Sequence, residues 1–409
     1  MEVAGLRSRC KVNTNFDADT FVGIKMVGSD VCVNFPLGFS LSQDDNELRR
    51  DILLLFSTLS SNTDRRGSEF QRDTKLDRNV KFPVQAYIAV ISDFLSRGLY
   101  KEQEVHYEVS KRGKINWKRT INSQRVYKQN DKLFYLDFVT KKNVLNENEW
   151  ITLVHEYLVY ESFLKMGWLY TDYIPSKPAL KWNKKLFLGV IQDKLGHTNN
   201  DKNIDLFSNM IRIIESMGDD EADVEFDYGT DRFEYVWEKM IDRLYGIPDK
   251  LNYFPKTRWN LQNGVYDNAY LEPDTIMKIG KDIYVLDAKY YKYGYTKRPG
   301  DLPESTSINK QITYGEYVYK KKANLLEGEV YNAFLMPFDR HKFEESSVDS
   351  VVAIGTATSE WKDNELPYQN VVGIMVDVKH LMMKSTKQDY QEMLNLSEVI
   401  QQELKKSHG

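Results

Sequence analysis

The alternation of apolar and polar positions changes character several times along the chain. In "FVGIKMVGSDVCVNFPLGF" (residues 21–39) apolar side chains flank a Gly-Ser-Asp turn, which predicts two strands. "DDNELRRDILLLFSTLSS" then places Leu48, Ile52, Leu53, Leu55 and Phe56 at helical spacing, with acids at its start, as a helix N-terminus favours. "SSNTDRRGSEFQRDTK" is polar and aperiodic and reads as a linker. A second apolar helix is predicted in "PVQAYIAVISDFLSRGLY". A basic, β-rich stretch follows, "HYEVSKRGKINWKRTINSQRVYKQNDKLFYLDFVTKK", and then a long helix, "ENEWITLVHEYLVYESFLKMGWL", apolar nearly all round.

The acidic segment "IESMGDDEADVEFDYG" marks a boundary after Met217. Beyond it the pattern predicts a helix over 231–245, strands over 274–291, a helix over about 309–322 and a strand in "EVYNAFLMPF". Two more strands, "SVVAIGTAT" and "VVGIMVDVKHL", precede a closing helix, "QDYQEMLNLSEVIQQELKK". Helices interleaved with largely apolar strands point to an α/β layer around a buried mixed sheet. Three regions are expected: 1–75, a β-hairpin plus helix; 76–220, an α+β region; and 221–409, the α/β layer.

Bulk properties narrow the class. A chain of 409 residues can bury more than one core, and 41% hydrophobic with 28% charged residues is ordinary for a globular protein. The formal charge of −4 gives no global pull toward nucleic acid, although a basic groove can be offset by acid elsewhere. Cys10 and Cys32 are the two cysteines, and Cys32 lies in apolar "VCVNF" as a buried thiol would, so a reducing, cytoplasmic setting is expected. No apolar run approaches the roughly 18 residues of a membrane span, and the N-terminus lacks a signal-peptide apolar core.

The chemistry concentrates in "LEPDTIMKIGKDIYVLDAKYYKYG" (residues 271–294). In "DIYVLDAKYY" Ile283, Val285, Asp287 and Lys289 share one face, and Tyr284, Leu286, Ala288 and Tyr290 the other. Both faces are apolar until Asp287 and Lys289, whose burial costs on the order of several kcal/mol unless they pair or bind something. If Gly280-Lys281-Asp282 closes a hairpin, Asp274 sits near Asp287 across the pair. Converging carboxylates repel, and a hard divalent cation removes that repulsion; Mg²⁺ prefers such oxygens, with Mn²⁺ as a substitute. Lys289 beside it could orient water for attack on a phosphodiester and offset charge developing on phosphorus.

Upstream, "DRFEYVWEKMIDRLYG" is amphipathic, with Phe233, Val236, Trp237, Met240 and Leu244 as its stripe. Glu238 on its flank is the candidate for a third carboxylate, direct or through water, with Glu234 as the fallback. Downstream, "NKQITYGEYVYKKK" brings Gln311, Tyr314 and Lys310 close to the strand end, ahead of Tyr317 and the lysines at 320–322. His155-Glu156 continues without a second histidine one turn later, so it is no zinc-protease signature, and no Gly-rich phosphate loop is present to hydrolyse nucleotides.

Pro273-Asp274 followed by Asp287-Ala288-Lys289 resembles the PD-(D/E)xK nuclease superfamily, and the "FEYVWE" and "QITYGEY" helices look like flanking elements of its RecB-like and McrC-like branches. Gln311 departs from the RecB-like pattern, with its tyrosine three rather than four residues on. In the first half, "FVGIKMVGSDVCVNFPLGF", "LRRDILLLF" and "RGKINWKRTI" look like the LlaJI-type restriction endonuclease family, whose members are similar to McrC. The resemblance implies a C-terminal PD-(D/E)xK nuclease core with a mixed sheet flanked by helices, and an N-terminal α+β adaptor. It implies a Mg²⁺-dependent DNA endonuclease subunit of a multi-component restriction system. Asp274, Asp287, Lys289, Glu238 and Gln311 would act on double-stranded DNA, and a McrB-like AAA+ GTPase would be supplied as a separate chain. The basic stretch Lys111, Arg112, Lys114, Lys118 and Arg119, with Trp117 among them, would touch either that GTPase or the DNA backbone. The alternative is a non-cleaving adaptor that stimulates the partner GTPase.

Overall fold

A computed structural model describes residues 6–16, 19–27, 30–62, 83–130, 132–146, 149–171, 173–217, 226–322, 328–342 and 349–407. The chain forms two compact units, Met1–Val80 with Glu225–Gly409, and Lys81–Val224. Strands β1 (Cys10–Val12), β2 (Val22–Val27) and β3 (Asp30–Phe35) lead into helix α1 (Asp45–Asn62). Their sheet is completed from far along the chain by β9 (Phe226–Thr230), in the order β1-β3-β2-β9, with β2 and β9 antiparallel. Apolar Val22, Ile24, Val33 and Phe35 are fully buried in that sheet, which is why the N-terminal hairpin cannot remain alone. Beyond residue 62 the expected linker lies outside the described residues, as does the acidic segment over 218–225.

The second unit holds α2 (Val84–Arg97), β4 (Glu102–Val109), β5 (Lys114–Ile115), α3 (Trp117–Ser123), β6 (Val126–Gln129), β7 (Lys132–Tyr135), β8 (Val139–Asn146), α4 (Trp150–Met166), α5 (Lys184–His197) and α6 (Asp201–Ser216). Its sheets run β4-β8-β5 and β6-β7. α4 is the long helix with apolar residues nearly all round, and ten of its residues are buried. The basic stretch differs from the β-rich expectation at one place. Asn116 caps a helix by accepting a hydrogen bond from the Arg119 N–H at 3.1 Å, so Trp117, Lys118 and Arg119 sit on α3. His155 is fully buried, accepts the Tyr100 N–H at 2.9 Å, and is held by burial at a pKa of about 4, a core histidine.

The first unit continues with α7 (Phe233–Tyr245), β10 (Lys256–Leu261), β11 (Gly264–Tyr270), β12 (Thr275–Ile279), β13 (Asp282–Ala288), α8 (Tyr293–Thr296), α9 (Ser305–Lys322), β14 (Val330–Phe338), β15 (Val351–Ala357), β16 (Val371–Asp377), α10 (Val378–Lys384) and α11 (Tyr390–Ser407). The predicted strand "VVGIMVDVKHL" ends early because Asp377 caps α10, accepting the His380 N–H at 2.7 Å. A five-stranded mixed sheet has the order β12-β13-β14-β16-β15, with parallel pairing along β13-β14-β16 and antiparallel strands at both edges.

The alternation in β13 divides the faces as the sequence suggests. Ile283 and Val285 pack with Tyr314 and Val318 of α9, while the Tyr284 hydroxyl on the other face accepts a hydrogen bond from Gln401 of α11 at 2.7 Å. Helices thus cover both faces, as a central strand apolar on both sides requires. Among the described residues β10 and β11 pair only with each other. Among the described residues no helix is long and apolar enough to cross a membrane.

Candidate functional site

The tight turn at Gly280, whose φ of 57° suits glycine, closes β12 and β13 into a hairpin with Ile279 opposite Asp282 and Thr275 opposite Leu286. One step beyond that register, Asp274 and Asp287 face each other at the end of the sheet. The Asp274 carboxylate accepts the Ala288 N–H at 2.8 Å, which ties the two strand ends together. The Lys250 ammonium donates to the Asp274 backbone carbonyl at 2.8 Å.

Asp287 is 4% exposed. Its Oδ2 lies 2.6 Å from Lys289 Nζ, but out of line for a regular hydrogen bond, so that oxygen keeps coordinating capacity. The Lys289 N–H extends the β13–β14 ladder one residue by donating to the Leu335 carbonyl at 2.9 Å. Trp237 of α7 donates its indole N–H to that same carbonyl at 3.2 Å. Tyr290 packs on Phe233 and Trp237, and its hydroxyl accepts the Leu37 N–H at 2.7 Å. The lysine is therefore fixed on both sides, by a helix and by the N-terminal segment.

Electrostatics mark the same place. Burial, then the charges of Asp287 and Glu238, push the Asp274 carboxyl up to about 7, against the Ala288 hydrogen bond and Lys289. Burial and then Asp287 raise Glu238 as well. Burial works against the Lys289 ammonium, yet Asp287 outweighs it and holds its pKa above the usual lysine value. Three carboxyl groups thus sense one another around one half-buried ammonium.

The remaining expected residues are placed differently. Among the described residues no three His, Cys, Asp or Glu side chains converge closely enough to hold an ion, and Glu238 meets the aspartate pair through its charge. Glu234 is paired with Arg232 at 3.1 Å. Gln311 is buried and turned into the sheet, donating to the Val285 carbonyl at 2.7 Å and lying 3.4 Å from Asn332 Oδ1. Its amide braces β13 beneath the site. Tyr314 is the α9 side chain that senses the aspartates: burial raises its hydroxyl pKa, Lys310 opposes, and Asp287 and Asp274 add to the rise. Trp237, Tyr290 and Lys250 went unassigned in the sequence reading. The signal for the first two was a buried aromatic carrying a polar atom, which needs a partner.

The donor chemistry fits a hard divalent cation. Two opposed carboxyl groups, which the approach of a cation would favour in their charged form, supply oxygen donors of the kind Mg²⁺ prefers.

In the second unit, Lys111, Arg112, Lys114, Lys118 and Arg119 are all exposed. The Arg119 guanidinium lies over the Tyr107 ring at 3.8 Å, and Trp117, 54% exposed, meets Phe138 edge-on at 5.9 Å.

Three comparisons bear on this arrangement. The family profile described as LlaJI restriction endonuclease matches residues 21–354. The chain is 24% identical over 265 residues to the Type II restriction enzyme BsuMI component YdjA of Bacillus subtilis (strain 168), covering 59% of this chain and 55% of that protein, so it spans about half that relative's length. A chain of the refined half-complex from the tetradecameric assembly of Thermococcus gammatolerans McrB AAA+ hexamers with bound McrC aligns with 92% of this chain and 83% of its own length, at 15% identity and a TM-score of 0.35.

Proposed function

The chain belongs to the LlaJI restriction endonuclease family, and on that premise we propose that Asp274, Asp287 and Lys289 form the cleavage site of a DNA endonuclease subunit of the PD-(D/E)xK type. One observation carries this reading: a buried aspartate paired with a half-buried lysine at the end of a central strand, faced by a second carboxyl that burial and the charges of Asp287 and Glu238 drive up to about 7. A purely structural ion pair needs no third acid, and the third acid makes it worse.

Asp274 and Asp287 would hold Mg²⁺, with Glu238 reaching it through water. When bound, such an ion lowers the pKa of a coordinated water and neutralises phosphate charge. The protein's own contributions are positional and electrostatic. The Ala288 N–H orients Asp274. The Leu335 carbonyl, shared between the Lys289 N–H and the Trp237 indole, locks the backbone from which Lys289 projects. The Lys289 ammonium, kept protonated by Asp287, stabilises negative charge growing on the phosphate oxygens. Gln311 shapes β13 without touching substrate.

Double-stranded DNA is the substrate class, and a McrB-like AAA+ GTPase in trans is the partner. The exposed basic and aromatic surface of the second unit supports contact with that partner or with the DNA backbone. Cleavage by the assembled system, assayed with Asp287→Ala and with Lys289→Ala, is the test. Either variant cutting like the parent removes the site assignment.

A second reading is favoured by the lack, among the described residues, of a three-ligand cluster: an adaptor that stimulates the GTPase and does not cut. Stimulation that survives Asp274→Ala but is lost on charge reversal at Arg112 and Lys118, with no cleavage by the parent, selects it.

A further inference from the structure

The chain spends fifteen residues, Lys256–Tyr270, between α7 and the site on a feature that the cleavage chemistry leaves unused. β10 and β11 form a two-stranded ribbon that pairs with no other strand, and every described side chain over 256–268 and 270–272 is exposed. An isolated hairpin of this kind is marginal in water. It is nevertheless rooted firmly. Phe254, Pro255 and Pro273 are buried at its base, and the Leu271 N–H donates to the Pro255 carbonyl at 2.9 Å. The root ends at Pro273-Asp274, the first acid of the site.

Pairing in register sorts its faces. Trp259 lies opposite Tyr266 and Leu261 opposite Gly264, so these side chains share one face, with Thr257 and Asn268 hydrogen-bonded to each other at 3.0 Å beyond them. That face is uncharged and exposed: Trp259 by 63%, Tyr266 by 50% and Leu261 by 50%. The other face carries Arg258 with Asp267 at 3.3 Å, and Lys256 over the Tyr270 ring at 4.4 Å. The tip between the strands is Gln262-Asn263.

We infer that this ribbon is a DNA-engaging element, entering a groove of the duplex beside the scissile phosphate with Trp259, Tyr266 and Leu261 against the bases. This rests on the nuclease reading above and names how the same site holds its substrate. Duplex DNA is the occupant for three reasons. Six residues of strand reach roughly 20 Å, enough to cross into a groove that admits a two-stranded ribbon. A phosphate lying at Asp274 and Asp287 puts the flanking base pairs within that reach, because the ribbon is rooted at Asp274. The side chains also suit bases: aromatic rings that stack or wedge, amides that pair with base edges, and Lys256 and Arg258 near the root for phosphates.

The test uses the full chain with Ca²⁺ in place of Mg²⁺ and a fluorescent duplex at low salt. Trp259→Ala and Tyr266→Ala should each weaken duplex binding about tenfold, as the loss of one stacked base does. Trp259→Phe should retain most of the affinity, and melting temperature should not move, since the ring touches no core. Variants that bind like the parent overturn the inference, and so does a parent without duplex affinity. Intact DNA binding with loss of a co-purifying protein overturns it too, making the ribbon a protein-docking face. Asp287→Ala in the assembled system separates the two ideas: if it still cuts, the site assignment fails while the ribbon result, read from Trp259 and Tyr266, stands.

Discussion

Two consecutive hairpins, β10–β11 and β12–β13, differ in almost everything but their local geometry. Both are antiparallel pairs closed by tight turns containing a glycine. The first leaves Trp259, Tyr266 and Leu261 in solvent; the second buries Tyr284, Val285 and Leu286 completely and Asp287 nearly so. Each therefore carries residues out of keeping with their surroundings. Aromatics in water and carboxylates in a core are both costly placements, and each sets its residues apart from the rest of its hairpin. The contrast shows that a residue type signals function only when set against its burial.

The sharpest way to break the comparison is at Asp287. Removing this carboxylate should lower cleavage by the assembled system by about 10²–10³-fold, the scale for losing a preorganised charged group, with DNA binding retained. Next comes stability. Tyr284→Ala removes a buried ring stacked on Tyr331 with centroids 4.9 Å apart, and should cost about 3–5 kcal/mol in denaturant unfolding. Tyr266→Ala in the exposed hairpin should stay within about 0.5 kcal/mol of the parent.

The third test is pH. Asp274 titrates near 7 in the fold against 3.8 as its ordinary value. A raised folded pKa gives stability that is present at acidic pH and lost as pH rises through 7, because the folded state must then hold a charge that the unfolded chain carries freely. Without divalent ions the parent's melting temperature should fall between pH 4 and 7 more steeply than that of Asp274→Asn. Millimolar Mg²⁺ should recover the loss at pH 8 in the parent and much less in the variant. Equal slopes would show that the buried acids do not strain the fold. A smaller loss than at Asp287 or Tyr284 belongs to Trp237→Phe, which keeps an aromatic ring and removes the hydrogen bond to Leu335: about 1 kcal/mol of stability, with a severalfold drop in cleavage as Lys289 loosens.

Much of the five-stranded sheet was legible because strand and helix periods are local. "DIYVLDAK" announced a central strand ending in charge, and Gly280 its turn, so the facing of Asp274 and Asp287 followed. What escaped depends on distance or on exposure. The pairing of β2 with β9 joins residues some two hundred positions apart, and no local pattern foretells it. β10–β11 lacks an apolar face toward a core, so nothing set it apart from a loop. Gln311 was placed near the site by its helical position, and its hydrogen bond to the Val285 carbonyl, a buried acceptor that needs a donor, became visible only in three dimensions. Trp237 and Tyr290 appeared as core aromatics, and their polar atoms, directed at Leu335 and Leu37, became visible only in three dimensions.

The β2–β9 ladder also sets a timetable for synthesis. A ribosome adding roughly 5–20 residues per second leaves β2 waiting about 10–40 s for the strand that completes its sheet. The intervening unit, Lys81–Val224, emerges and can fold first. The N-terminal hairpin spends that interval with an open edge, and the clamp of Tyr290 on Leu37 closes only once residue 290 has been made.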